Sequence, residues 1–355
     1  MKMDPIFVVY KRVQGLNLAM DIYPPVRTDD TKGTGYPAII YFHGGGMTAG
    51  DRNTLFPTWF FKRLTADGIA FITVDYRLIT PSTGHDVVED IRDLFTFLSD
   101  SLNSELAFRE KEPSFQIDPS RLAVVGTSAG GLCCYLAAIH ARPKPTAVVS
   151  IYGLGGEFFT PHFYTPKFAP FFMGRDLVDP AICHAYLYPQ CATLPPLSAS
   201  PFHPDNPEIP THPRILLPRL YLQLGVYLDY WTGVHGLSER VGRLLPPPGE
   251  PVSEETRAAM RDAIPEDARV LFPQLWVTKD WPRTLLVHGE MDTVVHANDS
   301  QHLYQLLLNE GVDVRFEVVK GEEHVFDYVP GAEEKFGALF DRVQGFLREA
   351  LLDGK

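Results

Sequence analysis

The segment Arg121-Leu-Ala-Val-Val-Gly-Thr-Ser-Ala-Gly-Gly131 joins a short apolar run to a turn made of small residues. The apolar half predicts a buried strand, and the residues from Gly131 to His140 predict an apolar helix. A sharp turn from strand to helix exposes a serine hydroxyl at the sheet edge if the residues two positions away on either side are small. Gly126 and Gly130 meet that condition around Ser128. The segment therefore predicts a nucleophile elbow.

Strands and helices alternate on both sides of this segment. Continuous apolar runs of five or six residues are typical of strands buried on both faces of a parallel sheet. The predicted strands are two within 6–25, then 37–42, 69–74, 121–125, 147–151, 283–289 and 312–319. The predicted helices are 57–66, 86–98, 131–140, 300–309 and 333–352. This alternation predicts an α/β fold, with a mostly parallel sheet and helices on both of its faces.

Residues 155–281 interrupt the alternation. They hold 19 of the 31 prolines and open on a run of phenylalanines and tyrosines. A flexible linker of this length is expected to be polar and poor in aromatics, so the segment predicts a folded insertion, helical around 219–230 and 254–264. We therefore expect an α/β core in two parts, 1–154 and 282–355, with 155–281 as a cap between them.

A glycine triplet, His43-Gly-Gly-Gly46, directly follows the strand at 37–42. Consecutive glycines allow backbone N–H groups to approach a developing oxyanion without obstruction by side chains. Gly44 and Gly45, together with Ala129, are the predicted donors of such an oxyanion hole. A merely flexible loop or a phosphate cradle is the alternative, although the Lys and Ser/Thr of a phosphate-binding loop do not follow here. His43 itself is expected to anchor the loop by hydrogen bonding.

An acid and a base that could activate the serine follow it in chain order. Asp292 comes just after the strand at 283–289, and His324 comes just after the next strand. Catalytic groups gather at the carboxyl ends of neighbouring strands in open α/β sheets. We predict that His324 takes the proton of Ser128 and that Asp292 orients His324. Glu290 stays open as an alternative acid.

Several other polar residues have structural interpretations. Glu322 and Glu323 are expected to form a solvated charge pair, Asp75 and Arg77 to tie a strand end to a neighbouring loop, and Cys133 and Cys134 to pack in the core. No cysteine and histidine spacing suits zinc, and no dinucleotide-binding glycine motif follows the first strand. We expect no metal and no organic cofactor.

Four parts of the chain carry a family resemblance. They are His43-Gly-Gly-Gly46, Val74-Asp75-Tyr76-Arg77-Leu78, Asp118-Pro-Ser-Arg-Leu-Ala-Val-Val-Gly-Thr-Ser-Ala-Gly-Gly131 and the late pair Asp292 and His324. Together they resemble α/β-hydrolases of the hormone-sensitive-lipase-like serine esterase group over residues 37–154 and 283–350. The resemblance implies an eight-stranded sheet, a Ser–His–Asp triad, a glycine-loop oxyanion hole and a cap. The stretch Asp292-Thr293-Val294 is also similar to peptidase- and formamidase-like relatives.

Composition excludes several classes of protein. With 32 Lys and Arg against 44 Asp and Glu, the net charge of −12 argues against a nucleic-acid partner. No apolar run approaches the length of a transmembrane segment, and the apolar run near the N-terminus is too short for a signal peptide. Four cysteines do not make a disulfide scaffold. These features predict a cytoplasmic protein and leave the oligomeric state open.

The main functional hypothesis is a serine hydrolase that cleaves a carboxylic ester of an apolar acyl substrate through an acyl-enzyme. A thioester, lactone or amide in a biosynthetic pathway is the alternative substrate. A non-catalytic ligand receptor on the same scaffold is a third hypothesis, which the presence of Ser128, Asp292 and His324 disfavours.

The aromatic start of the insertion supplies candidates for the substrate pocket. They are Phe158, Phe159, Phe163 and Phe168. For each of them the alternative is that the ring only packs the insertion onto the core.

Overall fold

The computed structural model describes residues 4–26, 35–109, 115–202, 212–247 and 249–353. The strands are β1 (Ile6–Val13), β2 (Leu16–Tyr23), β3 (Tyr36–Phe42), β4 (Ala70–Val74), β5 (Ile117–Thr127), β6 (Ala147–Ile151), β7 (Arg283–Gly289) and β8 (Val314–Val319). They form one eight-stranded sheet in the order β1-β2-β4-β3-β5-β6-β7-β8. β2 pairs antiparallel with β1 and β4, and all other neighbours are parallel.

The helices cover both faces of the sheet. They are α1 (Thr58–Ala66), α2 (Gly84–Asp100), α3 (Leu102–Arg109), α4 (Ala129–His140), α5 (Pro161–Tyr164), α6 (Pro213–Leu224), α7 (Tyr227–Thr232), α8 (Leu237–Gly242), α9 (Glu254–Ala263), α10 (Ala297–Asn309) and α11 (Ala332–Leu351). Short 3₁₀ turns occupy parts of the remaining chain. Within the described ranges, no helix is both long enough and apolar enough to cross a bilayer.

Alternation along the strands separates two apolar layers. In β3, Ile39 and Tyr41 face the layer that α1 and α11 cover, whereas Ala38, Ile40 and Phe42 face the layer that contains α2 and α4. Neighbouring residues point to opposite faces because the side-chain period of a strand is two residues. The central strands β3 to β6 are buried almost throughout, which explains why they read as continuous apolar runs.

The segment between β6 and β7 contains α5 to α9 and packs against the α2 and α4 layer. The sequence predicts a single helix over 219–230, but the structure has two, because Gly225 adopts a left-handed φ of 69° and ends α6. A left-handed residue at this position is the usual end of a helix, and glycine adopts it without steric cost. The helix predicted at 254–264 corresponds to α9.

Candidate active site

Ser128 lies at the turn between β5 and α4. Its φ of 53° is left-handed, an arrangement that is strained for a residue with a side chain and is typical of functional turns. A Cβ on Gly126 would collide with the backbone of Gly130, and a Cβ on Gly130 would collide with the carbonyl of Phe42. Both glycines are therefore required by backbone contact, as the sequence pattern predicts.

Ser128, His324 and Asp292 form a continuous chain of hydrogen bonds. The Nε2 atom of His324 lies 2.9 Å from Ser128 Oγ, and its Nδ1 atom lies 2.6 Å from Asp292 Oδ2. An ionised carboxylate only accepts hydrogen bonds, so Nδ1 carries the imidazole proton and Nε2 is free to accept the serine proton. The three residues follow β5, β7 and β8, and the sheet brings their carboxyl ends to one edge.

The carboxylate of Asp292 is buried and held by several donors. The backbone N–H groups of Val294 and Val295 each donate to Oδ1 at 2.9 Å. Burial alone would raise the pKa of Asp292, but the attraction of His324 and hydrogen bonds from His288 and His324 lower it well below its usual range. Asp292 therefore stays ionised and can stabilise an imidazolium on His324.

Glu290, the alternative acid, points elsewhere. It is exposed, and its carboxylate accepts a hydrogen bond from the backbone N–H of Gly321. His324 contacts Asp292 instead. The geometry thus favours Asp292 over Glu290.

Two polar groups around Asp292 and His324 were not identified from the sequence. His288 is fully buried, with Nε2 2.8 Å from the carbonyl of Val295 and 3.2 Å from Asp292 Oδ2. Its position four residues before Asp292 in His-Gly-Glu-Met-Asp is a signal that could have found it. His288 is therefore a buried group in contact with the Asp292 carboxylate.

Glu323 is the second such group. Its carboxylate accepts hydrogen bonds from Thr293 N at 2.7 Å, Thr293 Oγ1 at 2.8 Å and His324 N at 2.9 Å. The expectation of a solvated charge pair is therefore wrong for Glu323, which joins the loop of the acid to the loop of the base. Glu322 pairs with Lys335 at the surface, as expected for a solvated charge.

The glycine loop after β3 lies beside Ser128. Gly44 packs on Thr127 and Ser128, and Gly45 has a φ of 113° that favours glycine. Among the described residues, no acceptor takes the backbone N–H of Gly44, Gly45 or Ala129. The N-terminus of α4 adds a favourable field for a negative charge at this place. The described part of the structure therefore leaves these three N–H groups without an acceptor near Ser128, which is the condition that donors of an oxyanion hole must meet.

His43 holds the base of this loop. It is fully buried, its ring stacks on Tyr76 at 4.4 Å, and its Nδ1 lies 2.7 Å from the Gly44 carbonyl. Burial lowers the pKa of His43 to about 4, so the ring is neutral near pH 7. This geometry agrees with an anchoring role for His43.

The insertion also holds the glycine loop. Pro218 of α6 lies against Gly46, where any Cβ would collide with the proline ring. The buried guanidinium of Arg214 donates to the carbonyl of Thr48 at 2.8 Å, and Thr48 Oγ1 donates to the carbonyl of Arg214 at 2.8 Å. Tyr227 adds a bond from its hydroxyl to the Gly46 carbonyl at 3.3 Å. The loop is therefore fixed from the core and from the insertion.

A cavity of about 620 Å³ opens on Ser128 and His324. Its walls come from the glycine loop, from α6, from the loop after Phe171 and from the segment after His324. The remaining lining residues are Gly44, Gly45, Gly46, Leu55, Thr127, Tyr152, Phe172, Met173, Arg175, Phe202, Ile215, Leu216, Pro218, Arg219, Val325, Tyr328, Val329 and Pro330. Most of these are apolar, so the cavity suits an apolar acyl or alcohol group.

The four phenylalanines predicted for the pocket do not line this cavity, and that prediction is wrong. Phe158, Phe159 and Phe163 are buried in the core of the insertion, where Phe158 and Phe159 pack on Phe272. Phe168 is 88% exposed. The aromatic side chain that reaches the cavity from this part of the chain is Phe172. Packing of the insertion, the alternative for these rings, explains Phe158, Phe159 and Phe163.

The remaining polar residues have structural roles. Arg77 is buried against Asp86, Glu89 and Asp90, and Asp75 pairs with Arg52. Cys133 and Cys134 lie in the apolar core. The described residues contain no group of three His, Cys, Asp or Glu side chains placed to hold a metal ion.

Comparison with known proteins agrees with this architecture. A family model named BD-FAE matches residues 20–147, and that of the prolyl oligopeptidase family matches residues 265–353. Esterase 2 of Thermogutta terrifontis with butyrate bound superposes with a TM-score of 0.59 at 14% identity, over 99% of this chain and 96% of that chain. An α/β hydrolase superfamily protein of Enterococcus faecalis gives 0.57 at 17% identity, over 94% and 96%. These likenesses confirm the predicted α/β-hydrolase fold.

Two curated relatives extend the comparison. The chain is 27% identical to a probable carboxylesterase of a Phoma species over 146 residues, which is 40% of this chain and 45% of the relative. This chain is also 28% identical to a non-reducing polyketide synthase of Acremonium egyptiacum, and the match covers 97% of this chain. The chain spans only 15% of the length of that synthase. The matches indicate a serine hydrolase, and the hormone-sensitive-lipase-like group stays a prediction.

Proposed function

We propose that this chain, an α/β-hydrolase, cleaves a carboxylic ester through a covalent acyl-enzyme on Ser128. The observation that carries the proposal is the hydrogen-bonded chain from Ser128 through His324 to Asp292, which opens into an apolar cavity. Within the described part of the chain, the backbone N–H groups of Gly44, Gly45 and Ala129 beside the serine have no acceptor, which supports the proposal further. The proposed substrate is a small molecule with an apolar acyl or alcohol group.

In the first half of the proposed reaction, Ser128 Oγ attacks the ester carbonyl while His324 Nε2 takes its proton. The carbonyl oxygen becomes an oxyanion, which the N–H groups of Gly44, Gly45 and Ala129 stabilise. The tetrahedral intermediate then collapses, the bond to the alcohol oxygen breaks, and His324 gives its proton to the departing alcohol. Asp292 stabilises the imidazolium throughout.

In the second half, water replaces the alcohol. His324 takes a proton from the water as the water attacks the acyl carbonyl, and the same three N–H groups receive the oxyanion. Breaking the bond to Ser128 Oγ releases the carboxylic acid, and the proton returns from His324 to the serine.

The test is Ser128→Ala, measured by hydrolysis of p-nitrophenyl butyrate and by labelling with a fluorophosphonate. We expect kcat to fall by about 10⁴-fold or more and the label to disappear, because the nucleophile is lost. Ser104→Ala, which changes an exposed serine on α3, is the matched control and should retain both. Turnover of Ser128→Ala within tenfold of wild type would refute the assignment. Folded wild-type protein that neither labels nor turns over would instead favour a ligand receptor.

A second candidate, hydrolysis of a thioester, lactone or amide in a biosynthetic pathway, is favoured by one observation. The chain matches segments of several non-reducing polyketide synthases over 90% or more of its length. The same triad and donors would serve any of these acyl groups. Comparing kcat/KM for a butyryl oxygen ester and for butyryl-N-acetylcysteamine separates the candidates. The ratio of kcat/KM for the thioester to kcat/KM for the oxygen ester is compared with the ratio of the rate constants at which hydroxide hydrolyses the same two compounds. A larger ratio for the enzyme would favour the second candidate.

A further inference from the structure

Two arginines line the cavity that contains Ser128. They are Arg175, in the turn that follows Phe172, and Arg219, on α6. No aspartate or glutamate is among the described residues of the cavity wall. The chain as a whole has a net charge of −12, so a cationic wall is not a consequence of its composition. Of the two, Arg219 is the arginine whose surroundings require an explanation.

Arg219 has no hydrogen-bond or ion-pair partner among the described residues, and its Nε atom is buried. Burial and the neighbouring charge of Arg175 lower the pKa of Arg219, while Asp176 acts in the opposite direction from the surface. A guanidinium remains protonated in proteins, so the cation stays in a poorly solvated place. Such a group is stabilised when an anion joins it.

Arg175 belongs to a turn that is tied to the catalytic loops. The backbone N–H of Met173 donates to Thr293 Oγ1 at 2.7 Å. Thr293 follows Asp292 and is bonded to Glu323, which precedes His324. The part of the cavity wall that contains Met173 is therefore joined by hydrogen bonds to the loops that contain Asp292 and His324.

The rest of the wall is apolar around Arg219. Ile215 and Leu216 lie four and three residues before it, on the same face of α6, and both line the cavity. Pro218, the preceding residue, contacts Gly46 of the glycine loop. A ligand that fills the cavity from Ser128 would thus meet apolar side chains and a guanidinium on the α6 wall.

We propose that the substrate of this site carries an anionic oxygen group, a carboxylate or a phosphate, which Arg219 binds. The proposal rests on the proposed acyl-enzyme function and specifies its substrate class as amphipathic acyl compounds with one anionic end. A guanidinium suits this task because its planar set of donors matches the oxygens of carboxylate and phosphate groups. Arg219 is then a specificity-determining residue that takes no part in the bond-breaking steps.

The experiment compares substrates that differ in charge but match in length. The pairs are p-nitrophenyl hexanoate against the mono-p-nitrophenyl ester of adipic acid, and hexanoyl-N-acetylcysteamine against hexanoyl-coenzyme A. The first pair places the anion on the acyl side, and the second places phosphates on the leaving group. Wild type, Arg219→Gln, Arg219→Lys and Arg240→Gln are measured. Arg240 is an exposed arginine of α8 in the same insertion, so its variant removes an equal charge away from the cavity.

We expect wild type to prefer the anionic member of one pair by about tenfold or more in kcat/KM. Arg219→Gln should reduce that preference by about ten- to a hundredfold, because kcat/KM should fall much further for the anionic member than for the neutral member. Arg219→Lys should retain part of the preference, and Arg240→Gln all of it. The pair in which the preference occurs identifies the acyl side or the leaving group as the source of the anion.

A wild-type enzyme without preference in either pair would overturn the proposal. The proposal would also be overturned by an Arg219→Gln variant whose kcat/KM falls equally for neutral and anionic substrates while fluorophosphonate still labels it at the wild-type rate. Calorimetry of adipate and hexanoate binding to Ser128→Ala, with and without Arg219→Gln, tests the anion site without turnover. If adipate binding depends on Arg219 but the wild-type protein turns over no ester, the proposed function is refuted and the anion site is retained.

Discussion

Replacing Arg214 by Gln should destabilise the protein and disturb the glycine loop together. Its guanidinium is 1% exposed and donates to the carbonyls of Thr48, Ile79 and Thr80, each at 2.8 Å. A hydrogen bond with a charged partner contributes about 1.5–3 kcal/mol, and a buried carbonyl left unpaired costs about 1–3 kcal/mol. Burial opposes this gain, since it lowers the pKa of Arg214 to about 10.

The balance predicts that Arg214→Gln lowers the free energy of unfolding by about 3–5 kcal/mol, which urea unfolding measures. The backbone N–H groups of Thr48 and Ala49 donate to the Gly45 carbonyl at 3.1 Å, so a shift of Thr48 moves Gly45, a proposed donor of the oxyanion hole. We therefore expect kcat for p-nitrophenyl butyrate to fall by about ten- to a hundredfold.

Two controls accompany this variant. Arg240→Gln, at an exposed position of the insertion, should change the free energy of unfolding by less than about 0.5 kcal/mol. Arg214→Lys keeps the charge but cannot reach three carbonyls at once, so its stability should be intermediate. An Arg214→Gln protein whose free energy of unfolding lies within about 1 kcal/mol of wild type, roughly the contribution of one hydrogen bond, and whose kcat is unchanged would refute this interpretation of Arg214.

Three further predictions concern the acid and the glycines. Asp292→Asn should lower kcat by about 10⁴-fold and Glu290→Gln by less than about twofold in the same ester assay; the reverse order would exchange their roles. The pKa of Asp292 is lowered in the folded protein, so its ionised carboxylate stabilises the fold above the ordinary pKa of about 4, and this contribution is lost as the pH falls. The free energy of unfolding should therefore fall more for wild type than for Asp292→Asn between about pH 6 and about pH 3, a range that spans the ordinary pKa. Equal falls would contradict a stabilising contribution from the ionised Asp292 carboxylate. Gly130→Ala should prevent stable folding, because its Cβ would collide with the Phe42 carbonyl, whereas Gly337→Ala, in an open part of α11, should stabilise by about 0.5–1 kcal/mol in urea unfolding.

The juxtaposition of Ser128, Asp292 and His324 could be predicted from the sequence because each residue lies shortly after the end of a strand. Ser128, Asp292 and His324 come after β5, β7 and β8, and parallel strands present their carboxyl ends at one edge. Chain order and strand ends were therefore sufficient to bring them together. The choice between Asp292 and Glu290 needed the structure, since two positions of spacing decide which carboxylate points at the imidazole.

The cavity could not be predicted in the same way, because its walls come largely from the insertion. A strand or a long helix shows which residues share a face through its periodicity. The segment around Phe168 and Phe172 has no such period, and the structure exposes Phe168 while Phe172 lines the cavity. The aromatic composition was thus informative about folding of the insertion but not about the direction of any one ring.

Long-range polar contacts could not be predicted from the sequence either. Glu323 accepts from Thr293, thirty positions earlier, and Arg214 donates to Thr48 across the boundary between insertion and core. Neither pairing leaves a local pattern, because the partners meet only after the strands and helices are assembled. The sequence shows a carboxylate at position 323, but it does not show which N–H and O–H groups donate hydrogen bonds to its two oxygens.

These contacts divide the control of the proposed reaction between two parts of the chain. The strand ends of the core set the distances of the proton-transfer residues, Ser128, His324 and Asp292. The insertion contacts the glycine loop through Pro218 and Arg214 and so restrains the oxyanion donors. Changes in the insertion should therefore act on oxyanion stabilisation and on substrate choice, whereas changes at the strand ends should act on proton transfer. The insertion is therefore a structural component of the proposed active site and not only a cover over it.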